Sequence, residues 1–524
     1  MTAAPETPAP RVHVAFAGGG WRAHSGHSGW TLALLDGGRR DVADVFQNVG
    51  HFGSNSGGSW FSTMLMFSER FVQAIEAPDA RTTWTNTGWI GQQETLFNAA
   101  DVCSALEGDA FTACIFEEYS PEGLTRWASV IEGLVFRDYP LDLSVTLASE
   151  RRPWAQGKAL VLASTLLTSD VVLNEAGLGS GFAKQYVQAC VSPLQPLHDG
   201  GEGSSCADGG EVRATPDVTA AAFSSLSPGS QLSPLPFLPA AGAGRPVNLG
   251  YTVNSDGAIV GLESVNNPIA VDAVPVVRAA AASSAAAGFA ASHAVTGDWE
   301  LAYEGSDEAL AFRLAGGRAT FVDVTDFTLR ELTDQHVVRL ADGGPVDNSG
   351  VAHLVAFLQR NGLADGFEIV AFDNVEGLYR PAGPAAPVGV DVANLFGAGL
   401  SDGDKYCSGP DGTGVCITVP DIQIFDEGPL SSPPELTWSA AAESSTEEHP
   451  RELVYTRYSV TTVANETLGI TAGSRGTLHA FTCAWSGAAV APQNIHTDGD
   501  FKAYAAMVEL IDEGLRRNDG EGLR

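Results

Sequence analysis

The stretch Asn48 to Arg70, NVGHFGSNSGGSWFSTMLMFSER, passes from a short apolar run (Val49, Phe52) through a cluster of serine and glycine. It then enters an apolar series at Trp60, Phe61, Met64, Leu65 and Phe67. The first run reads as a strand and the last as a helix, so the small residues between them form a sharp strand-to-helix turn. A turn of this kind can carry one side chain at its tip, above the helix N-terminus. Ser56 takes that position in Ser54-Asn55-Ser56-Gly57-Gly58, a variant of G-x-S-x-G with serine at the first glycine. Taken alone the pattern is shared with ordinary loops, because serine and glycine dominate turns in general.

Upstream, Arg11 to Ala17 (RVHVAFA) alternates and is rich in Val and Phe, the pattern of a buried strand. Gly18-Gly19-Gly20-Trp21-Arg22-Ala23 follows, and a helix is expected from there to Leu35, ended by Gly37-Gly38. A strand, three glycines and a helix leave backbone N–H groups aimed at one point with the helix dipole behind them. Such a point binds an anion, either a nucleotide phosphate or the oxyanion of an ester under attack. Gly18, Gly20 and Ala23 fit the looser dinucleotide pattern, but no acidic residue closes the next strand and no G-K-[ST] occurs. One helix and one strand separate the glycine turn from the serine turn, as in a β-α-β crossover. Parallel neighbours would bring both turns to the same sheet edge.

A third informative stretch begins with Ala319 to Val324 (ATFVDV), a strand pattern, and Val337 to Leu340, which leads into Ala341-Asp342-Gly343-Gly344-Pro345-Val346-Asp347-Asn348. An aspartate at a strand mouth followed by Gly-Gly gives a tight turn, which also occurs as a plain Asp-Gly turn. Val351 to Gln359 reads as a helix, and Glu368 to Phe372 as a further core strand ending at Asp373-Asn374.

Composition narrows the classes. The chain has 524 residues, with 29 Lys and Arg against 63 Asp and Glu, a formal net charge of −34. Such a surface repels nucleic acid phosphates and anionic bilayers, so no nucleic acid and at most transient membrane contact is expected. The uncharged run 218–244 is broken by prolines, and 279–295 is mostly Ala and Ser, so neither reads as a membrane span. The start, MTAAPETPAP, has no basic region followed by an apolar core.

Cys103/Cys114, Cys190/Cys206 and Cys407/Cys416 form close pairs beside a single Cys483. Local disulfides with a glycan at Asn465-Glu466-Thr467 would place the protein outside the cell, and free thiols would place it inside. Both readings stand. No C-x-x-C or H-E-x-x-H spacing occurs, and neither metal nor cofactor is expected.

In that order, GGGWRAHSG, SNSGGSW and ADGGPVDN resemble the cytosolic phospholipase A2 and fungal phospholipase B (lysophospholipase) family, with the patatins as more distant relatives. The correspondence covers about the first 70 residues and roughly 321–374. It implies a three-layer α/β/α fold and a Ser-Asp dyad without a histidine base. The nucleophile falls on Ser56, the acid/base on Asp342, the oxyanion donors on Gly19 and Gly20, and a phosphate-orienting arginine on Arg22. The substrate implied is a phospholipid or lysophospholipid. Calcium independence is expected, since nothing corresponds to the family's calcium-binding C2-type module.

The domain reading is a tail at 1–10, a single catalytic α/β domain over 11–517 with an inserted cap or lid over roughly 72–318, and a tail at 518–524. The Ala, Ser and Pro rich stretch Thr215 to Pro246 reads as a lid or a surface linker. Phe501 to Arg517 reads as an amphipathic helix capped by Asp500 and packed on the sheet.

Three rivals share these residues. An α/β-hydrolase triad would add a histidine, from His449, His479 and His496 downstream or from His24, His27 and His51 nearby. An acyltransferase would use the same serine with an alcohol acceptor. A lipid-binding protein would carry the same positions without turnover.

Overall fold

The computed structural model describes residues 12–35, 41–82, 131–168, 188–192, 195–199, 211–214, 217–233, 235, 258–259, 274–284, 311–315, 318–322, 337–375, 377–398, 405–407, 416–418, 422–442, 445, 451–485 and 498–517. Both expected tails, Cys103, Cys114, Cys206, His449 and His496 lie outside the described residues, as do Trp84, Trp89 and Trp127.

Among the described residues twelve strands form the main sheet. In chain order they are β1 (Val12–Phe16), β2 (Val49–Ser54), β3 (Leu160–Thr168), β4 (Asp217–Ser225), β5 (Ala258–Ile259), β6 (Ala311–Ala315), β7 (Arg318–Val322), β8 (Val337–Asp342), β9 (Phe367–Val375), β10 (Leu436–Ala441), β11 (Arg451–Thr461) and β12 (Arg475–Trp485). Across the sheet the order is β10-β11-β12-β9-β1-β2-β3-β8-β6-β7-β5, with β4 also paired to β3. The centre, β12-β9-β1-β2-β3, is parallel. The flanks are antiparallel.

Parallel strands need crossovers, and helices that make them cover both faces of the sheet. The helices that matter here are α1 (Gly20–Leu34), α2 (Ser56–Phe67), α3 (Val276–Ala282), α4 (Gly344–Asp347), α5 (Val351–Arg360), α6 (Val390–Asn394) and α7 (Asp498–Arg517). Side chains alternate along a strand, so β1 feeds two cores. Val14 and Phe16 pack with Trp21 and Trp30 of α1 and Trp60 and Phe61 of α2. Ala15, between them, packs with Val351, Leu354 and Leu358 of α5. The chain is thus a mixed α/β protein with helices on both faces of one sheet, and the Val14–Phe16 part of β1 is apolar throughout because neither of its faces meets water.

Three sequence expectations change. The stretch 72–318 is not wholly an inserted cap, because β3, β4, β5 and β6 come from it and pair within the main sheet. The strand pattern at Ala319 to Val324 is realised as β7, one residue earlier at its start. Helix α7 begins at Asp498, so Asp500 lies inside it rather than capping it. Besides meeting β11 through Gly514, α7 packs against α1, where a Cβ on Gly29 would lie 3.2 Å from Val508 Cα.

Among the described residues no helix is long and apolar enough to cross a membrane. Cys407 and Cys416 are backbone register partners in a two-stranded antiparallel ribbon, and Cys483 is a buried free thiol. The glycan expectation at Asn465 needs correction. Its side chain is 3 % exposed, donates to the Gln423 carbonyl at 3.0 Å and accepts from the Leu468 N–H at 2.9 Å. An amide engaged on both sides leaves no room for a sugar on the folded chain.

Candidate active site

Strand β2 ends at Ser54, Asn55 continues extended, and the chain then reverses at Ser56 with φ +47°. Among the described residues it is the one non-glycine with positive φ. That conformation costs an L-residue about 1–2 kcal/mol, so the surrounding structure has to impose it.

The constraint is close packing of main chain. A Cβ on Gly57 would overlap the carbonyl oxygen of Gly20, one on Gly58 those of Phe16 and Ala17, and one on Gly53 that of Gly350. The loop leaving β1 therefore passes directly over the serine turn, and only glycine admits it. Gly58→Ala is expected to destabilise the protein by about 3 kcal/mol, read as a lower urea midpoint at unchanged slope. A midpoint equal to wild type would show that the loop has room.

The serine at the first position of the motif is also explained. Ser54 Oγ contacts Ser59 Oγ at 3.2 Å and accepts from Ser62 Oγ at 3.0 Å. The backbone that crowds Ser54 on its other side belongs to Gly350, which supplies the missing Cβ space.

Because β1 and β2 are parallel, with Phe16 opposite Ser54, the glycine loop and the serine turn leave the sheet side by side. Gly18 is tied down by its N–H to the Asn348 carbonyl at 2.7 Å. Gly19 and Gly20 have φ of +123° and +57°. No described residue accepts a hydrogen bond from the N–H of either, nor from that of Gly57 in the first turn of α2. Unpaired donors at two adjoining helix starts are what an oxyanion needs.

Asp342 ends β8 with its carboxylate beside the Ser56 hydroxyl, which acts to lower its pKa. Asp342 Oδ1 accepts the Gly344 N–H at 2.7 Å and Asn55 Nδ2 at 3.1 Å. Ser56 is 6 % exposed and Asp342 7 %. Burial pushes the Asp342 carboxyl above its ordinary value, and Ser56 together with the bonds from Gly344 and Asn55 partly opposes this. The four residues carried by the serine and glycine turns and the Asp-Gly-Gly turn, Ser56, Asp342, Gly19 and Gly20, thus converge on one place.

Arg22 comes to the same region but not to an open surface. It is 5 % exposed, Nε donates to the Asn374 carbonyl at 3.2 Å, and its charge acts on Asp373 and Asp391. A guanidinium enclosed behind the glycine loop with two acids is placed to brace that loop rather than to meet a headgroup phosphate. Arg22→Ala is therefore expected to lower hydrolysis of a phospholipid and of a neutral short-chain ester by similar factors. A loss confined to the phospholipid would restore the phosphate role.

Sequence reading missed Ser283, just past α3. Its carbonyl accepts the Ser56 N–H at 3.0 Å and the Gly343 N–H at 3.4 Å, so it clamps the two turns together. Its Oγ contacts Ser59 Oγ at 2.8 Å and donates to Asn55 Oδ1 at 3.4 Å. An alanine and serine run carries no motif that could have announced this. Since Ser283 takes up the N–H of Ser56, that N–H is not available to an oxyanion.

The triad candidates among the described histidines are engaged elsewhere. His27 Nε2 bonds the Ala17 carbonyl at 2.8 Å, and His51 Nδ1 accepts the Ala159 N–H at 3.1 Å. His479 lies between Tyr455 Oη at 2.8 Å and Glu368 Oε1 at 2.7 Å. His24 is enclosed by the rings of Phe61 and Phe71. Burial lowers His24 and His27 to about 3 and His51 to about 4, which holds all three neutral. Among the described residues no group of three or more His, Cys, Asp or Glu could hold a metal ion.

No protein-family model matches the chain, and a search of curated proteins finds no match.

Proposed function

We propose that the chain is a serine hydrolase acting on carboxylic esters of lipids, of the phospholipase A2 or lysophospholipase type, with Ser56 and Asp342 as its dyad. The observation that carries this reading is the left-handed Ser56, whose hydroxyl lies beside a buried carboxylate and unpaired glycine N–H groups. The patatin and cytosolic phospholipase A2 type of fold is part of the same proposal. It is supported by the order of the three turns along the chain and by their meeting at one end of the parallel strands.

In this reading Ser56 Oγ attacks the ester carbonyl while Asp342 takes its proton, and the N–H groups of Gly19 and Gly20 hold the oxyanion. The protonated Asp342 then gives its proton to the departing alkoxide, leaving an acyl-enzyme. Water, deprotonated by Asp342, attacks the acyl group, and Ser56 recovers its proton as the fatty acid leaves. A carboxylate with an ordinary pKa is a weak base for a hydroxyl, and the burial of Asp342 makes it a stronger one.

The deciding experiment is release of free fatty acid from a panel of phospholipids, lysophospholipids, triglycerides and short-chain esters, with chelator present. Hydrolysis of phospholipid or lysophospholipid is expected. No release from any member, together with no labelling of Ser56 by a fluorophosphonate, would overturn the reading. Acyl transfer to added lysolipid without fatty acid release would replace it by the transferase.

A further inference from the structure

Behind Asp342 runs a polar chain for which the dyad alone has no use. Asn55 donates from Nδ2 to Asp342 Oδ1 at 3.1 Å and to Asn348 Oδ1 at 2.9 Å. Asn348 Nδ2 in turn donates to Asp391 Oδ2 at 2.6 Å. Asp391 approaches Asp373, which is fully buried and whose carboxyl is pushed well above its ordinary value by burial and then by Asp391. Gly389 permits this approach, because a Cβ there would overlap Asp373 Oδ2.

No donor among the described residues reaches either oxygen of Asp373. Arg22 from α1, Asp347 from α4 and Cys483 from β12 are the other ionisable groups that act on the pair.

The polarity of the chain is dictated from its ends. Asp342 Oδ1 is a carboxylate oxygen that already accepts the Gly344 N–H, so Asn55 must present its nitrogen. The second hydrogen of that nitrogen needs an acceptor, which Asn348 Oδ1 supplies. Asn348 then has only its own nitrogen to offer Asp391, whose Oδ2 must accept. A proton on Asp391 Oδ2 would turn the Asn348 amide round and set nitrogen against nitrogen at Asn55.

We propose that Asn348 and Asp391 are positioning residues for the Ser56 and Asp342 pair. They hold the Asn55 amide, and through it the Asp342 carboxylate, in the orientation that receives the serine proton. This rests on the hydrolase reading above. It predicts that cutting the chain anywhere weakens the same step, and that cutting it twice costs no more than cutting it once.

The test is a double-mutant cycle on hydrolysis of a short-chain ester, with fluorophosphonate labelling of Ser56 in parallel. Asn348→Leu and Asp391→Leu are each expected to lower kcat and the labelling rate on the order of tenfold. KM is expected to stay within about twofold, and the double variant to be no slower than the slower single one. Asp391→Asn, whose amide oxygen still accepts, is expected to stay near wild type.

Should a leucine variant not fold, near-isosteric changes replace it. Asn348→Asp sets two carboxylates face to face and is expected to be slow. Combining it with Asp391→Asn restores a donor and an acceptor at that contact and is expected to recover the rate. Wild-type kcat in the single variants, losses that multiply in the double variant, or no recovery in the swap would each overturn the relay. Because wild type is labelled at Ser56 in these cases, the hydrolase reading survives them. An unlabelled and inactive wild type would overturn both.

Discussion

Replacing Ser56 by alanine is expected to remove ester hydrolysis by about four orders of magnitude or more and to abolish fluorophosphonate labelling. Nearby hydroxyls cannot substitute. Ser59 Oγ is held between Ser54 and Ser283, and Ser283 Oγ is engaged with Ser59 and Asn55. The variant should fold, since alanine meets the same backbone demand at φ +47° as serine does. Ser56→Gly is expected to be equally inactive but no less stable, because glycine adopts that conformation without the steric cost. Full activity in Ser56→Ala would make the turn a purely structural device. Loss of activity with labelling retained at another residue would move the nucleophile.

Asp342→Asn is expected to lower kcat by about three orders of magnitude while raising stability at neutral pH. The folded chain holds the Asp342 carboxyl above the ordinary 3.8, chiefly through burial. Between 3.8 and that raised value the folded protein keeps a proton that the unfolded chain has released. The contribution of Asp342 to stability is therefore fully present below 3.8 and is lost as pH rises through the folded value. At neutral pH wild type bears a buried carboxylate, which an amide of the same shape avoids while still accepting from Asn55 and Gly344.

The melting temperature of Asp342→Asn is accordingly expected to exceed that of wild type near pH 7 and to lose this advantage as pH falls towards 4. Wild-type hydrolysis is expected to decline on the acid side at a pH above 3.8, as the base becomes protonated. A variant less stable than wild type at pH 7 would show that the carboxylate charge is needed for folding. A variant as active as wild type would exclude Asp342 as the base.

Much of the site was legible because its parts are local. In RVHVAFAGGG and NVGHFGSNSGG, strand, turn and helix follow one another within a few residues, so pattern alone locates Gly19, Gly20 and Ser56. The Asp-Gly-Gly turn after β8 is local in the same way, and β8, α5 and β9 all form where the residue pattern placed them, within two or three residues at each end. Arg22 was located but its surroundings were not. Whether an arginine past a glycine loop meets solvent or Asp373 and Asp391 depends on β9 and α6, more than 300 residues further on.

The membership of the sheet could not be read from the stretch 72–318. Of its strands, β4 is an antiparallel partner of β3, β6 of β8 and β5 of β7, and no helical crossover announces antiparallel pairing. Ser283 was equally hidden, because a backbone carbonyl that clamps two turns has no side-chain signature.

By itself the sequence determined the local geometry: where the chain bends, which bends require glycine, which side chain stands at each tip, and which helix face is apolar. Those properties depend on steric limits and periodicity over a few residues. Only the tertiary structure decided what each tip faces, including the Ser56 to Asp342 contact, the Ser283 clamp, the enclosure of Arg22 and the route from Asp342 through Asn55 and Asn348 to Asp391. Hydrogen bonds and charge pairs between distant segments depend on which strands become neighbours, and that is settled by burying both faces of the sheet together.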